Sequence, residues 1–193
     1  PQGAVISPLL ANVYLHPLDR QMKQPGYRMV RYADDFVVLC RTAEQAQAVL
    51  EEVKSWVEQN GLRLNVDKTH VGDCRQAGQG FEFLGYRFEA GQRWVRPKSL
   101  KALRERIRMR TKRTRGDSLA KVIEDLNPML RGWFNYFKQA HPMVHKWMDG
   151  FTRRRLRALL RKQKKRPGRG RCLADHLRWP NAFFATQGLF TMV

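Results

Sequence analysis

Apolar positions divide this chain into two unlike halves. Over residues 1–96 helical and strand periods alternate. Leu9, Leu10, Val13 and Tyr14 recur at helical spacing. Ser7 suits an N-cap and Pro8 the first helical position. A helix is therefore predicted with those four apolar side chains as its buried face, stopped by Pro25-Gly26. Two short runs rich in β-branched and aromatic residues follow, at 27–31 and 36–40, and read as a hairpin over 27–41. Thr42 with Gln45 forms a capping-box pattern. It opens a helix over 43–59 expected to bury Ala46, Val49, Leu50, Val53 and Val57, closed by Asn60-Gly61. Strand-like pieces come next: Leu62-Arg63-Leu64, Thr69-His70-Val71, Phe81-Glu82-Phe83-Leu84-Gly85, Tyr86-Arg87-Phe88 and Trp94-Val95. The order helix, two strands, helix, strands suits an antiparallel sheet with helices on one face.

From Pro97 the pattern becomes helical. One helix is predicted from about 99 to 113. A second follows Asp117, with Leu119, Val122, Ile123 and Leu126 on one face, and is broken or kinked at Asn127-Pro128. A third carries Met129, Leu130, Trp133, Phe134 and Phe137, and this aromatic stripe reads as bundle core. A fourth runs from about 142 to 165, interrupted or bent at Gly150. The stretch 166–171 is a basic loop, and 179–193 has aromatics without a clear period. The fold class expected is α+β: a sheet-and-helix domain over 1–96, then an all-α bundle over 97–193.

Composition narrows the function classes. A 42% hydrophobic content is ordinary for a globular protein. No run of about 18 apolar residues occurs, so no transmembrane helix is expected, and the start carries no secretory signal. The chain opens on Pro1 rather than Met, which reads as a fragment or a processed piece. Cys40, Cys74 and Cys172 are scattered, which argues against a disulfide scaffold and fits a reducing, cytoplasmic setting. The net charge is +20, and its distribution matters more than its size. Residues 1–95 hold 11 basic and 11 acidic side chains, whereas 96–193 hold 26 basic and 6 acidic. Such asymmetry implies a polyanionic partner, nucleic acid first. A membrane surface is the rival, but no amphipathic anchor adjoins the longest basic run.

The candidate chemistry sits at Tyr32-Ala33-Asp34-Asp35, between the two strand-like runs. Adjacent carboxylates repel and are poor strand formers. A divalent metal compensates them, and carboxylate-clamped metal pairs are the usual device for phosphoryl or nucleotidyl transfer. Mg²⁺ takes hard oxygen ligands and leaves positions for phosphates and water. A solvated acidic turn is the other reading of the pair. His141 and His145 are spaced i, i+4 without a Cys or carboxylate ligand set and read as packing or surface residues. His16, His70 and His176 are isolated.

Several motifs then fall in one order: Pro1-Gln2-Gly3, Ser7-Pro8-Leu9-Leu10-Ala11-Asn12, Arg31-Tyr32-Ala33-Asp34-Asp35-Phe36, Gly61-Leu62 with Asn65-Val66-Asp67-Lys68-Thr69, and Phe83-Leu84-Gly85-Tyr86. This series resembles the palm of reverse transcriptases encoded by bacterial group II introns. The second half resembles that family's maturase domain, which serves as the polymerase thumb, through Leu130-Arg131-Gly132-Trp133-Phe134-Asn135-Tyr136-Phe137, Trp179-Pro180-Asn181-Ala182-Phe183-Phe184 and Gly188-Leu189-Phe190. The resemblance implies a polymerase-type palm followed by an all-α thumb bundle. It implies an RNA-directed DNA polymerase and intron RNA maturase, with Mg²⁺ as cofactor. Its partners would be intron RNA, RNA template with DNA primer, and deoxynucleotides, with no membrane.

By the same resemblance Asp34 and Asp35 are the catalytic metal ligands, Asp34 the more directly engaged. Lys68 would approach the leaving pyrophosphate. Gln2, Gly3 and Tyr32 would contact the nucleotide, and Gly85 the primer backbone, with Phe83 and Leu84 buried. Lys98, Arg104, Arg108, Arg115, Arg154, Arg157 and Arg161 represent the phosphate-binding surface, read by shape and charge as suits an A-form duplex. The family's fingers, and the strand bearing its first metal-binding Asp, would precede Pro1, so the chain alone is expected not to polymerise. No endonuclease module with paired cysteines is expected after the thumb. Two other readings stay open: a non-catalytic RNA-binding splicing cofactor, and a related reverse transcriptase recruited to phage defence or CRISPR adaptation.

Overall fold

The structure, a computed structural model, describes residues 5–24, 26–170 and 172–193. It is α+β. The elements run α1 (Ser7–Lys23), β1 (Arg28–Tyr32), β2 (Asp35–Leu39), α2 (Ala43–Gln59), β3 (Phe81–Phe83), β4 (Tyr86–Glu89), β5 (Gln92–Val95), α3 (Pro97–Arg110), α4 (Leu119–Phe137), α5 (Pro142–Gln163), α6 (Leu173–Arg178) and α7 (Asn181–Thr186). They fall into two compact units, Pro1–Phe83 with Glu89–Gly91, and Leu84–Phe88 with Gln92–Val193.

In the first unit β1 and β2 form an antiparallel hairpin in the register Arg28↔Leu39 to Tyr32↔Asp35. Its core joins Leu15, Leu18 and Met22 of α1 with Val49, Val53, Trp56 and Val57 of α2, packed against Met29, Phe36 and Val38. Thr42 caps α2 by accepting from Gln45 N at 3.2 Å, while Gln45 Oε1 accepts from Arg41 N at 2.8 Å. The helix ends at a left-handed Gly61, φ +69°, with Leu62 N bonding back to Val57 O. That conformation is what glycine supplies at a helix end.

Three expectations for this half are corrected. The buried face of α1 is not Leu9, Leu10, Val13 and Tyr14, which are 51–66% exposed. Leu15, Leu18 and Met22 turn inward instead, because α2 and the hairpin cover only that stripe. Ser7 opens the helix without capping it; Ile6 is the N-cap and makes no side-chain bond. Residues 62–64 and 69–71 are not strands. Turn formers recur too closely there: Asn65 O accepts from Lys68 N and Thr69 N, and Asp73 binds Arg75 locally. Such local bonds compete with a ladder. The strands therefore make two small sheets, β1-β2 and β3-β4-β5, rather than one.

The second unit is built on α3, α4 and α5. Leu103, Ile107, Val122, Ile123, Leu126, Leu130, Met148, Leu156 and Leu159 form its core, closed by Trp179, Phe184, Leu189 and Met192 from the end of the chain. A satellite cluster joins Val95, Phe137, Ala140 and Val144. Asn127-Pro128 does not break the helix: α4 is continuous across it. An interior proline costs roughly 3 kcal/mol. The five buried residues Val122, Ile123, Leu126, Leu130 and Phe137 each gain about 1.5–3 kcal/mol on burial and outweigh it. Asn127 adds a tether, donating to Gly188 O and accepting from Phe190 N, both at 2.8 Å. Gly150 likewise lies inside α5. His145 is buried with its Nε2 3.1 Å from Phe137 O, and His141 caps α5 at Met143 N. Both serve packing and capping in this unit.

Candidate active site and nucleic-acid interface

Register alone places the acidic pair. Tyr32 faces Asp35 across the last rung of the hairpin, so the connection is the two residues Ala33 and Asp34. Ala33 takes φ +54°. A residue with a Cβ pays about 1–2 kcal/mol for that left-handed conformation. Asp34 stands at the tip and Asp35 opens β2, both exposed. Among the described residues neither carboxylate is engaged in an ion pair or side-chain hydrogen bond. Tyr32, beside them, is 67% exposed.

A lock that the sequence reading missed holds this turn. Arg31 donates through Nη1 to Ala33 O at 2.8 Å and to Asn12 Oδ1 at 2.9 Å. Its Nε and Nη2 meet Asp19 Oδ1 and Oδ2 at 2.8 and 2.5 Å. One guanidinium thus ties the strained residue of the turn to two positions on α1. The signal was available: Arg31 lies in an alternating strand on the same face as Met29, which packs on the core. A charge on an inward face needs a partner.

The hydrogen bond from Arg31 holds the Asp19 carboxyl below its ordinary range, against the opposing effect of burial. A depressed carboxylate contributes stability that is present above the unfolded value and lost as pH falls through the folded one. Asp19→Asn is expected to cost about 1–2 kcal/mol at neutral pH. It should also flatten the loss of stability below about pH 4. Thermal unfolding of both proteins between pH 7 and 2 checks this; parallel curves would remove the lock from the account.

The other site residues fare unequally. Gln2 and Gly3 lie outside the described residues. Lys68 is exposed in the turn following Asn65. At Phe83-Leu84-Gly85 the last two residues differ from expectation, while Phe83 is half-buried. Gly85 is buried, and a Cβ there would stand 3.2 Å from Phe137 Cζ. Its φ of +82° and that close approach both require glycine. Leu84 is the exposed member, and its carbonyl accepts from Tyr136 Oη at 2.9 Å. Gly85 thus packs against Phe137 rather than standing open at the surface, as a primer contact was expected to require.

The arginines sort into spent and presented charges. Arg157 is only 2% exposed; its Nε donates to Trp179 O and its Nη2 to Asn181 Oδ1, both at 2.9 Å. Arg161 Nη1 bridges both oxygens of Asp175 at 2.7 and 2.8 Å, and the guanidinium also donates to Pro167 O. Burial works to raise the Asp175 carboxyl, but Cys172 and Arg161 hold it below its usual range. Arg115 is clamped by Asp117 at 2.5 Å and Asp125 at 3.1 Å. Arg157 is thus buried and Arg161 committed to Asp175 and Pro167, whereas Arg115 stays exposed with its ion pairs at the surface. Lys98 and Arg108 are exposed, and Arg104 and Arg154 half-buried on the same α3–α5 pair.

Comparison with known proteins matches two stretches of the chain to different family models. Residues 1–88 match the family model "Reverse transcriptase (RNA-dependent DNA polymerase)". Residues 100–178 match "Group II intron, maturase-specific domain". The two matches, in this order along one chain, support a group II intron reverse transcriptase/maturase. It is 34% identical to Protein YkfC of Escherichia coli (strain K12), over 45% of this chain and 31% of that protein. It is 33% identical to the Gag-Pol polyprotein of avian leukosis virus subgroup A (isolate RSA), over 53% of this chain and 6% of the polyprotein. The Gag-Pol polyprotein of Rous sarcoma virus subgroup B (strain Schmidt-Ruppin) matches at 32% over the same shares. The chain therefore spans under a third of the length of each curated relative.

The family's chemistry uses divalent metal ions, and the donor set at the turn can be tested against one. Mg²⁺ is usually bound by one or two carboxylates with the substrate's phosphates and water completing the octahedron. Asp34 and Asp35 are two uncommitted hard-oxygen donors on adjacent residues, which fits. Among the described residues no group of three His, Cys, Asp or Glu side chains could hold a metal ion.

Proposed function

We propose that this chain is the palm and thumb of an RNA-directed DNA polymerase that also acts as the maturase of its intron RNA. Residues 1–96 would be palm and 97–193 thumb. One observation carries the reading: two exposed, unpaired carboxylates at the tip of a hairpin whose turn is locked by Arg31. Asp34 and Asp35 hold the metal side of the reacting phosphates, Asp34 foremost. Tyr32, with Gln2 and Gly3, contacts the incoming deoxynucleotide, and Lys68 steadies the leaving pyrophosphate. Bound there, divalent ions, Mg²⁺ in this proposal, neutralise phosphate charge and favour in-line attack by a primer 3′-hydroxyl.

The second unit contributes the grip. Its excess of basic side chains over acidic ones on helices α3 to α5 favours RNA and RNA–DNA duplex through their phosphates. Among the described residues no helix is long and apolar enough to cross a membrane. We place the protein in the reducing cytoplasm, where its three free cysteines stay as thiols. The test is templated primer extension by the full-length protein with Mg²⁺, alongside filter binding of intron RNA. Incorporation with binding supports the proposal. Binding without incorporation would leave a splicing cofactor, and neither activity would end the reading.

A further inference from the structure

Helix α5 carries a stripe of a different kind from the rest of the basic surface. Met143, Trp147 and Phe151 recur every four residues, with Arg154 and Arg155 next on the same face. Successive members stand about 6 Å apart along the helix. At the first end, Trp147 is 48% exposed and stacks on Trp94, centroids 6.2 Å apart and planes 15° apart. Trp94 stacks in turn on His141, at 4.4 Å and 20°. The bond from His141 N to Arg93 O, 2.7 Å, fixes that assembly to β5. The result is a rigid aromatic ladder ending in a tryptophan open to solvent.

One turn further, the Phe151 ring is surrounded by three guanidiniums. Arg154, Arg108 and Arg104 place their central carbons 5.1, 5.5 and 6.0 Å from its centroid. Among the described residues no carboxylate pairs with Arg104, Arg108 or Arg113, and the Nε atoms of Arg104 and Arg113 are buried without a hydrogen-bond partner. Arg155 is used internally, donating to Thr111 Oγ1 and O at 3.0 and 2.9 Å. Burial holds Arg155 below its ordinary value, and the charges of Arg154, Arg108 and Arg113 add to the effect. Arg104, Arg108 and Arg113 thus converge without a carboxylate among the described residues, an arrangement that suits an anionic ligand.

We infer that this stripe is a track for an unpaired RNA strand, with a base stacked on Trp147 and the adjoining phosphate held by Arg104, Arg108 and Arg154 around Phe151. This rests on the RNA-binding reading of the second unit but departs from a purely duplex-binding surface. In a duplex the base faces are already stacked, and an exposed indole gains nothing from them. An unpaired base offers its π-face, and an aromatic platform beside guanidiniums is the combination that single strands use. Charge alone would need no ladder of rings.

The test uses the whole chain with two probes: a single-stranded oligoribonucleotide containing 2-aminopurine, and a blunt RNA duplex with the same number of phosphates. The expected results are quenching of 2-aminopurine on binding and about a tenfold loss of single-strand affinity in Trp147→Ala. The salt slope of that variant and its duplex affinity should be unchanged. Trp147→Phe should recover most of the loss, which separates stacking from misfolding. Arg104→Gln with Arg108→Gln should lower the single-strand salt slope by about 1.4. Leu177→Ala, at a residue 74% exposed in the same unit, should change nothing. Equal losses for single strand and duplex in Trp147→Ala, or bound but unquenched 2-aminopurine, would overturn the track alone. Failure of the unaltered chain to bind either RNA would overturn the RNA-binding reading, and the track with it.

Discussion

Replacing Asp34 by Asn is expected to abolish metal-dependent DNA synthesis by the full-length protein, by roughly a thousandfold or more, while RNA affinity stays within about twofold. The first figure follows from several kcal/mol of transition-state stabilisation at about 1.4 kcal/mol per factor of ten. The second follows from the division of labour, because Asp34 belongs to the first unit and the basic helices to the second. The substitution is close to isosteric and breaks no ion pair among the described residues, so loss of folding does not explain the expected result. Asp35→Asn should cost less, about tenfold to a hundredfold. Asp34 stands at the free tip, whereas Asp35 is fixed by its pairing with Tyr32. Primer extension with each variant, beside filter binding of the same RNA, makes the comparison. Near-normal incorporation by Asp34→Asn would remove the metal role from the hairpin.

The hairpin was legible because its signal is local. Two short β-branched runs around Ala33-Asp34 admit one register, and that register determines where both carboxylates stand. The lock beneath it was harder to see. Arg31, Asp19 and Asn12 meet through tertiary structure, and only the inward position of Arg31 in its strand announced it. Helix α1 shows the limit of periodicity. It has two apolar stripes, and nothing in the spacing tells which one a neighbour will cover. Pro128 shows another: a local breaker loses to five buried side chains whose partners lie far away in the chain. The short α6 and α7 escaped notice because six residues are too few to display a period.

Arginine content was the least transferable signal. Charge counting treats all basic residues alike, whereas burial divides them. This division yields the second large effect, Arg157→Ala. That side chain is nearly inaccessible, lies over the Phe184 ring at 5.2 Å, and joins α5 to the end of the chain through Trp179 O and Asn181 Oδ1. Burial pushes its guanidinium below the usual value, and Arg153 adds repulsion that Asp175 partly offsets. The charge is therefore retained at some expense and is held by its hydrogen bonds. Truncation would open a cavity beside Phe184 and strip the Trp179 carbonyl of its donor. Those two losses together are expected to cost about 3–5 kcal/mol. A loss of that size would unfold much of a unit whose total stability is about 5–15 kcal/mol. The same variant separates structure from recognition. Where enough folded protein remains at low temperature, the salt slope of RNA binding should match the unaltered chain, because Arg157 meets no phosphate. Arg108→Ala should do the reverse, leaving the thermal transition within a few degrees and lowering the slope by about one. Thermal unfolding paired with a salt series decides between them. A stable Arg157→Ala with a reduced slope would return that arginine to the binding surface.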